Sequence, residues 1–149
     1  AEIMAHISPD GGVYQAGTLS GNPVAMAAGI ATLTELNKSS FYKDLNTKTQ
    51  DFVASIQRFA TARNYKFKVF TIGSIFWFAF TDKDKIQSAD DIDAGSMDKF
   101  KIMHRELLNR GIYLGPSGYE VGFVSSAHTK IELEKAKRAI FEALDLVFR

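Results

Sequence analysis

Tyr14 to Asn22 reads YQAGTLSGN and holds the residues of this chain best suited to gripping an anion. Gly17, Thr18, Ser20 and Gly21 bring closely spaced backbone N–H groups, little side-chain bulk and two hydroxyls. Asn22 and Pro23 then mark a helix start: an asparagine oxygen accepts first-turn N–H groups, and proline suits the first helical position. Free N–H groups and the helix dipole favour negative charge there, so a phosphate could sit against this loop. An ordinary capped loop accounts for the same residues, and caps are common.

A second stretch with chemical potential is Gly115 to His128, GPSGYEVGFVSSAH. Glu120 stands there among glycine and apolar neighbours. A carboxylate in such company is either exposed or set to a task, because burying it without a partner is costly. Other candidates have plainer readings. His6, His104 and His128 lack an i, i+4 partner and a nearby carboxylate cluster, so no metal site is expected. His104 reads as a helix surface residue, and His128 as orienting the turn before a helix. Ser8, Ser125 and Ser126 have no G-x-S-x-G elbow around them. Phe76, Trp77, Phe78 and Phe80 have no interleaved basic residues and read as core rather than as a base-stacking platform.

The elements that must carry these residues follow from periodicity. Pro23 to about Leu36 is a helix rich in alanine, whose small side chains suit close packing against another surface. After Asn37–Ser40, a second helix runs from Phe41 to about Arg63 with Phe41, Leu45, Phe52, Ile56 and Phe59 on one face. Tyr65–Ile72 and Ile75–Thr81 read as a hairpin around Gly73-Ser74, in which glycine supplies the positive φ of a type II′ turn. The second of these strands, apolar on both faces, should be central. Residues 82–95 read as a mobile polar loop. Ser96 is expected to cap a third helix that stops at Gly111. Ile112–Leu114 and Val121–Ser126 read as short strands. Thr129 and Glu132 form a capping box for a last helix with Leu133, Ala136, Ile140, Ala143, Leu144 and Val147 inward. The order predicts an α/β, α+β-like layer: a small, mainly antiparallel sheet covered by helices, with a boundary near residue 40 dividing 1–40 from 41–149.

Composition narrows the functional classes. Of 149 residues, 46% are apolar and 23% charged, an ordinary globular balance. Lys plus Arg number 18 against 17 Asp plus Glu, with no basic block, so binding to nucleic acid or to a membrane surface has no electrostatic support. Ile75–Phe80, the longest apolar run, is too short to span a bilayer. Cysteine is absent, which excludes disulfides and thiolate zinc sites and is compatible with the cytoplasm. The start, AEIMAHISPDGG, has no signal-peptide pattern and no initiator methionine; the chain reads as a piece of a longer polypeptide.

The blocks YQAGTLSGNP (Tyr14–Pro23), the following AMAAG, and GIYLGPSGYEVGFVSSAH (Gly111–His128) carry a resemblance. Over nearly its whole length the chain resembles the glutamate-1-semialdehyde 2,1-aminomutase family, within the fold-type-I, class III aminotransferases. Related class III enzymes typically carry an arginine followed by two prolines in the C-terminal domain, and this chain has GYEVGFVSSAH instead. The resemblance implies the C-terminal portion of a pyridoxal 5'-phosphate enzyme: residues 1–40 the edge of the large cofactor domain, residues 41–149 the small C-terminal domain. It implies a cytoplasmic homodimer in which Gly17 and Thr18 reach the phosphate of the neighbouring subunit's cofactor, with Tyr14 close by. Glu120 matches a carboxylate near the substrate. The implied reaction converts glutamate-1-semialdehyde to 5-aminolevulinate for porphyrin biosynthesis. The Schiff-base lysine of the family lies upstream of the match to Ala1, so the chain alone is expected to be inactive. Two rivals stand beside this reading: part of a class III ω-aminotransferase, and a non-enzymatic α/β interaction domain.

Overall fold

The computed structural model describes all 149 residues and divides into two units, Ala1–Phe41 and Tyr42–Arg149. In the first, a 3₁₀ turn at Met4–His6 leads into a loop closed by two backbone bonds. Ser8 N–H donates to the Val13 carbonyl and Val13 N–H to the His6 carbonyl, both at 2.9 Å. Gly11 lies so close against the His6 backbone that no Cβ would fit there. Helix α1 (Pro23–Leu36) follows, started by Asn22, whose side-chain oxygen accepts from Val24 and Ala25 N–H at 3.0 and 3.2 Å. No residue of α1 is buried. Val24, Met26, Ile30 and Leu33 stay exposed, so the close packing expected of this helix is not made within its own unit.

The core lies in the second unit. Helix α2 (Phe41–Ala62) buries Thr49, Phe52, Val53, Ile56 and Ala60. Thr49 tolerates burial because its hydroxyl donates to the Leu45 carbonyl one turn back, at 2.8 Å. Asn64, at φ 56°, ends the helix by letting Tyr65 N–H reach back to the Ala60 carbonyl at 3.0 Å. Strands β1 (Lys68–Ile72) and β2 (Ile75–Ala79) pair antiparallel with Ile72 opposite Ile75, and Gly73 takes φ 57° in the tight turn. Strand β2 is central, as its composition predicts, with β1 on one side and the two-residue β3 (Gly122–Phe123) on the other. Along β2, Phe76 and Phe78 are buried, while Ile75 and Trp77 on the opposite face are half-buried.

Helices α3 (Ser96–Asn109) and α4 (Lys130–Val147) complete the core with Phe100, Met103, Leu107, Ala139, Ile140, Ala143 and Leu144. Burying each of the larger aliphatic side chains contributes about 1.5–3 kcal/mol. Gly111, at φ 73°, stops α3: its N–H meets the Leu108 carbonyl and Ile112 N–H meets that of Leu107, both at 2.9 Å. Thr129 and Glu132 exchange the two bonds of the expected capping box.

Two expectations are corrected. Ser96 is the first helical residue of α3 rather than its cap, because Asp93 accepts the Gly95 N–H at 2.8 Å and sets the entry itself. The Ser96 hydroxyl is buried without a partner. Ile112–Leu114 alternates as a strand would but finds no neighbouring strand, so it remains extended chain packed on the core. Residues 82–95 are largely exposed, as a polar surface loop should be, and they carry local bonds: Asp91 accepts from Gln87 and Ser88 N–H, and Asp82 and Asp84 pair with Lys66 and Lys68. These bonds hold all three carboxyls below their usual range.

Candidate functional site

Tyr14, Gly17 and Thr18 lie on one loop of the first unit, and all three are exposed. Two turns shape its end. Ser20 N–H donates to the Gly17 carbonyl at 2.9 Å, and Asn22 N–H to the Leu19 carbonyl at 3.0 Å. Gly21 takes φ 73°, a conformation that favours glycine. A Cβ at Gly17 would run into the Ser20 hydroxyl, so the bare Cα lets that hydroxyl sit directly against the loop.

The hydrogen bonding redistributes the donors that the sequence suggests for an anion. Asn22 already holds the Val24 and Ala25 N–H groups, and Pro23 has none. The first turn of α1 is thus occupied by its own cap. The donors left over include the N–H groups of Gly17, Thr18, Leu19 and Gly21 and the hydroxyls of Thr18 and Ser20, which have no partner within the chain. The candidate anion site is the loop, with the helix dipole behind it rather than the helix amides themselves.

Glu120 belongs to the second unit and is exposed. Its N–H donates to the Ser117 carbonyl at 3.1 Å, and its carboxylate folds back over the bare Cα of Gly115. The glycines around it have packing reasons. Gly122 faces the Phe76 ring and Gly118 faces Met97 and Phe100, each so closely that a Cβ would displace a side chain. The Trp77 indole N–H donates to the Gly118 carbonyl at 2.7 Å. At the far end, the Lys48 ammonium reaches from α2 to the Ser126 and His128 carbonyls at 3.0 and 2.9 Å. The His128 ring, as expected, orients this turn: its Nδ1 accepts from Ser125 N–H at 2.9 Å. His104 differs from its expected surface position. It is half-buried beside Phe100 and Tyr113, with Nε2 3.2 Å from the Leu114 carbonyl. No group of three His, Asp or Glu side chains is arranged to hold a metal ion, and no helix is long and apolar enough to cross a membrane.

Trp77, Lys48 and Gln57 escape sequence reasoning. Gln57 supplies a free strand edge with a surrogate partner, accepting from Val69 N–H at 2.9 Å and donating to the Phe67 carbonyl at 3.2 Å. No motif marks any of the three, since each partner is distant in the chain.

The sequence model of the family described as aminotransferase class III matches residues 1–144. The chain belongs to the class-III aminotransferases. Among curated class-III relatives, a glutamate-1-semialdehyde 2,1-aminomutase of Legionella pneumophila (strain Paris) is 42% identical over 98% of this chain and 33% of its own. The chain therefore spans about a third of the length of the curated relatives it matches. Two solved structures share the fold. An omega-transaminase from Sphaerobacter thermophilus aligns with a TM-score of 0.77 at 24% identity, over 100% of this chain and 34% of that one. A glutamate-1-semialdehyde-aminomutase from Pseudomonas aeruginosa PAO1 aligns with a TM-score of 0.75 at 21% identity, over 98% of this chain and 33% of that one. The helices and three-stranded antiparallel sheet are those of part of a fold-type-I class-III aminotransferase.

Proposed function

We propose that this chain is the C-terminal third of a pyridoxal 5'-phosphate-dependent glutamate-1-semialdehyde 2,1-aminomutase, a cytoplasmic isomerase that forms 5-aminolevulinate for porphyrin biosynthesis. The observation that carries the reading is the 42% identity, over 98% of the chain, to a protein of that name. Residues 1–40 then form the edge of the large cofactor domain and residues 41–149 the small domain. The lysine that holds the cofactor lies in the rest of the polypeptide.

The loop chemistry fits the cofactor's phosphate. Unpaired N–H groups, two unpaired hydroxyls and a glycine with no room for a Cβ make a small donor cradle. A phosphate accepts several such bonds at once, and its charge strengthens each of them. In this reading Thr18 binds with its hydroxyl, while Gly17 and Thr18 N–H orient the phosphate of the neighbouring subunit in a homodimer. Tyr14 stands in the same pocket. When bound, pyridoxal 5'-phosphate supplies the electron sink that lets an amino group change carbons. Glu120, exposed and acceptor-only when ionised, orients the polar groups of glutamate-1-semialdehyde.

The test is to assay the whole polypeptide for 5-aminolevulinate from glutamate-1-semialdehyde, with no second amino acceptor present. Formation under those conditions is expected, because a mutase returns the amine to the same carbon skeleton. Turnover only when a separate acceptor is supplied would identify an ω-aminotransferase and overturn the proposal.

A further inference from the structure

The turn that carries Glu120 is shaped by residues outside it. From the central strand, the Trp77 indole donates its single N–H to the Gly118 carbonyl at 2.7 Å. The indole is itself held, half-buried and stacked on Phe70 with ring centroids 5.7 Å apart. Gly118 is pressed by α3: a Cβ on it would lie 2.8 Å from Met97 Cε and 3.0 Å from the Phe100 ring. Ser117 then binds the next two N–H groups, Tyr119 through its hydroxyl at 3.2 Å and Glu120 through its carbonyl at 3.1 Å. The backbone of Glu120 is thus fixed by bonds that run back to Trp77.

Its side chain depends on a different neighbour. The carboxylate occupies the place that a Cβ on residue 115 would take, so its direction depends on Gly115 having none. A free glutamate on a surface turn samples many rotamers, and ordering it costs entropy each time substrate binds. A turn anchored to a central strand, with open space beside residue 115 for the side chain to fold into, lowers that cost.

We infer that Trp77 and Gly115 are positioning residues for the Glu120 carboxylate, an inference that rests on the reading of Glu120 as facing the substrate. Trp77 sets the turn, and Gly115 leaves the space into which the side chain folds.

Three variants of the whole polypeptide test this: Trp77→Phe, which keeps the stacked ring but removes the N–H; Gly115→Ala; and Glu120→Gln. Each is measured alone, and the first two also in the Glu120→Gln background, for kcat, KM, cofactor Kd and Tm. Glu120→Gln should lower kcat. Trp77→Phe should lower it roughly two- to tenfold, the range of one neutral hydrogen bond. Gly115→Ala should lower it roughly ten- to a hundredfold, as small misplacements of a substrate-orienting group do. Cofactor Kd should stay near wild type, Tm should fall in Trp77→Phe because the buried Gly118 carbonyl loses its donor, and neither change should lower kcat further once Glu120 is glutamine. Wild-type kinetics in Glu120→Gln would remove the reading of Glu120, and the positioning role with it. A slowed Glu120→Gln beside wild-type Trp77→Phe and Gly115→Ala would overturn the positioning role alone. Losses that persist unchanged in the Glu120→Gln background would overturn it too, by showing that both residues act elsewhere. If Trp77→Phe fails to fold, Gly115→Ala decides, because residue 115 is not left-handed and alanine adds no backbone strain there.

Discussion

Thr18 is the residue on which the phosphate proposal turns, because its N–H and hydroxyl are both left without a partner while the neighbouring helix amides are spent on Asn22. Thr18→Ala should weaken the whole polypeptide's hold on pyridoxal 5'-phosphate by roughly one to two decades, the range expected for one hydrogen bond to a charged group. Titrating the apoenzyme with cofactor and following absorbance measures this, and an unchanged Kd would take Thr18 off the phosphate. At this scale the residue types were legible in the sequence: glycines, hydroxyls and a cap announce themselves within ten residues. The allocation of donors was not legible, because it depends on which groups the cap consumes. Nor could Trp77, Lys48 or Gln57 be singled out. Trp77 finds its acceptor 41 residues on, and Lys48 finds its acceptors 78 and 80 residues on. Only the fold brings these pairs together.

Elements were legible where their signals are local and reciprocal. The Thr129–Glu132 box, the Gly73-Ser74 turn and the Gly111 stop each use bonds within a few residues, and each forms. Misreadings arose where a neighbour intervenes: Asp93 takes over the entry to α3, and Ile112–Leu114 lacks a strand to pair with. The capping box yields a prediction at this scale. Thr129→Ala removes the acceptor of the Glu132 N–H and should destabilise the chain by about 1 kcal/mol, measured by denaturant unfolding. The box also has a pH signature. The N–H of Thr129, with its hydroxyl second, holds the Glu132 carboxyl below its ordinary 4.5. A depressed folded value means that the stabilisation is complete above about 4.5 and is lost as pH falls through the lower folded value. In Thr129→Ala the Glu132 titration, followed by NMR, should move upward toward 4.5. A titration that stays where it is in wild type would show that the hydroxyl contributes nothing to holding the carboxylate.

The whole molecule combines two units of unlike self-sufficiency. Tyr42–Arg149 contains every buried residue of the chain: a core of phenylalanines from the sheet, closed by the apolar faces of α2, α3 and α4. Ala1–Phe41 buries none, and its only long element, α1, exposes Val24, Met26, Ile30 and Leu33. A helix of 14 residues without tertiary packing is marginal in water, since nucleation is unfavourable and few bonds follow it. Chain entropy of about 1–2 kcal/mol per ordered residue therefore goes largely unopposed in the first unit, while burial opposes it in the second. Hydrogen exchange on this chain should accordingly divide in two. Amides of β2, α3 and the buried faces of α2 and α4 should exchange only through global unfolding, whereas Tyr14–Leu36 should exchange at rates near those of unstructured peptide. In the whole polypeptide, where the proposed large domain and second subunit supply the missing surface, Gly17–Leu36 should become protected, and adding pyridoxal 5'-phosphate should protect Gly17 and Thr18 further. Strong protection of Tyr14–Leu36 in the monomeric chain would mean that these residues fold unaided. The loop would then be a finished structure rather than one half of a site that a partner completes.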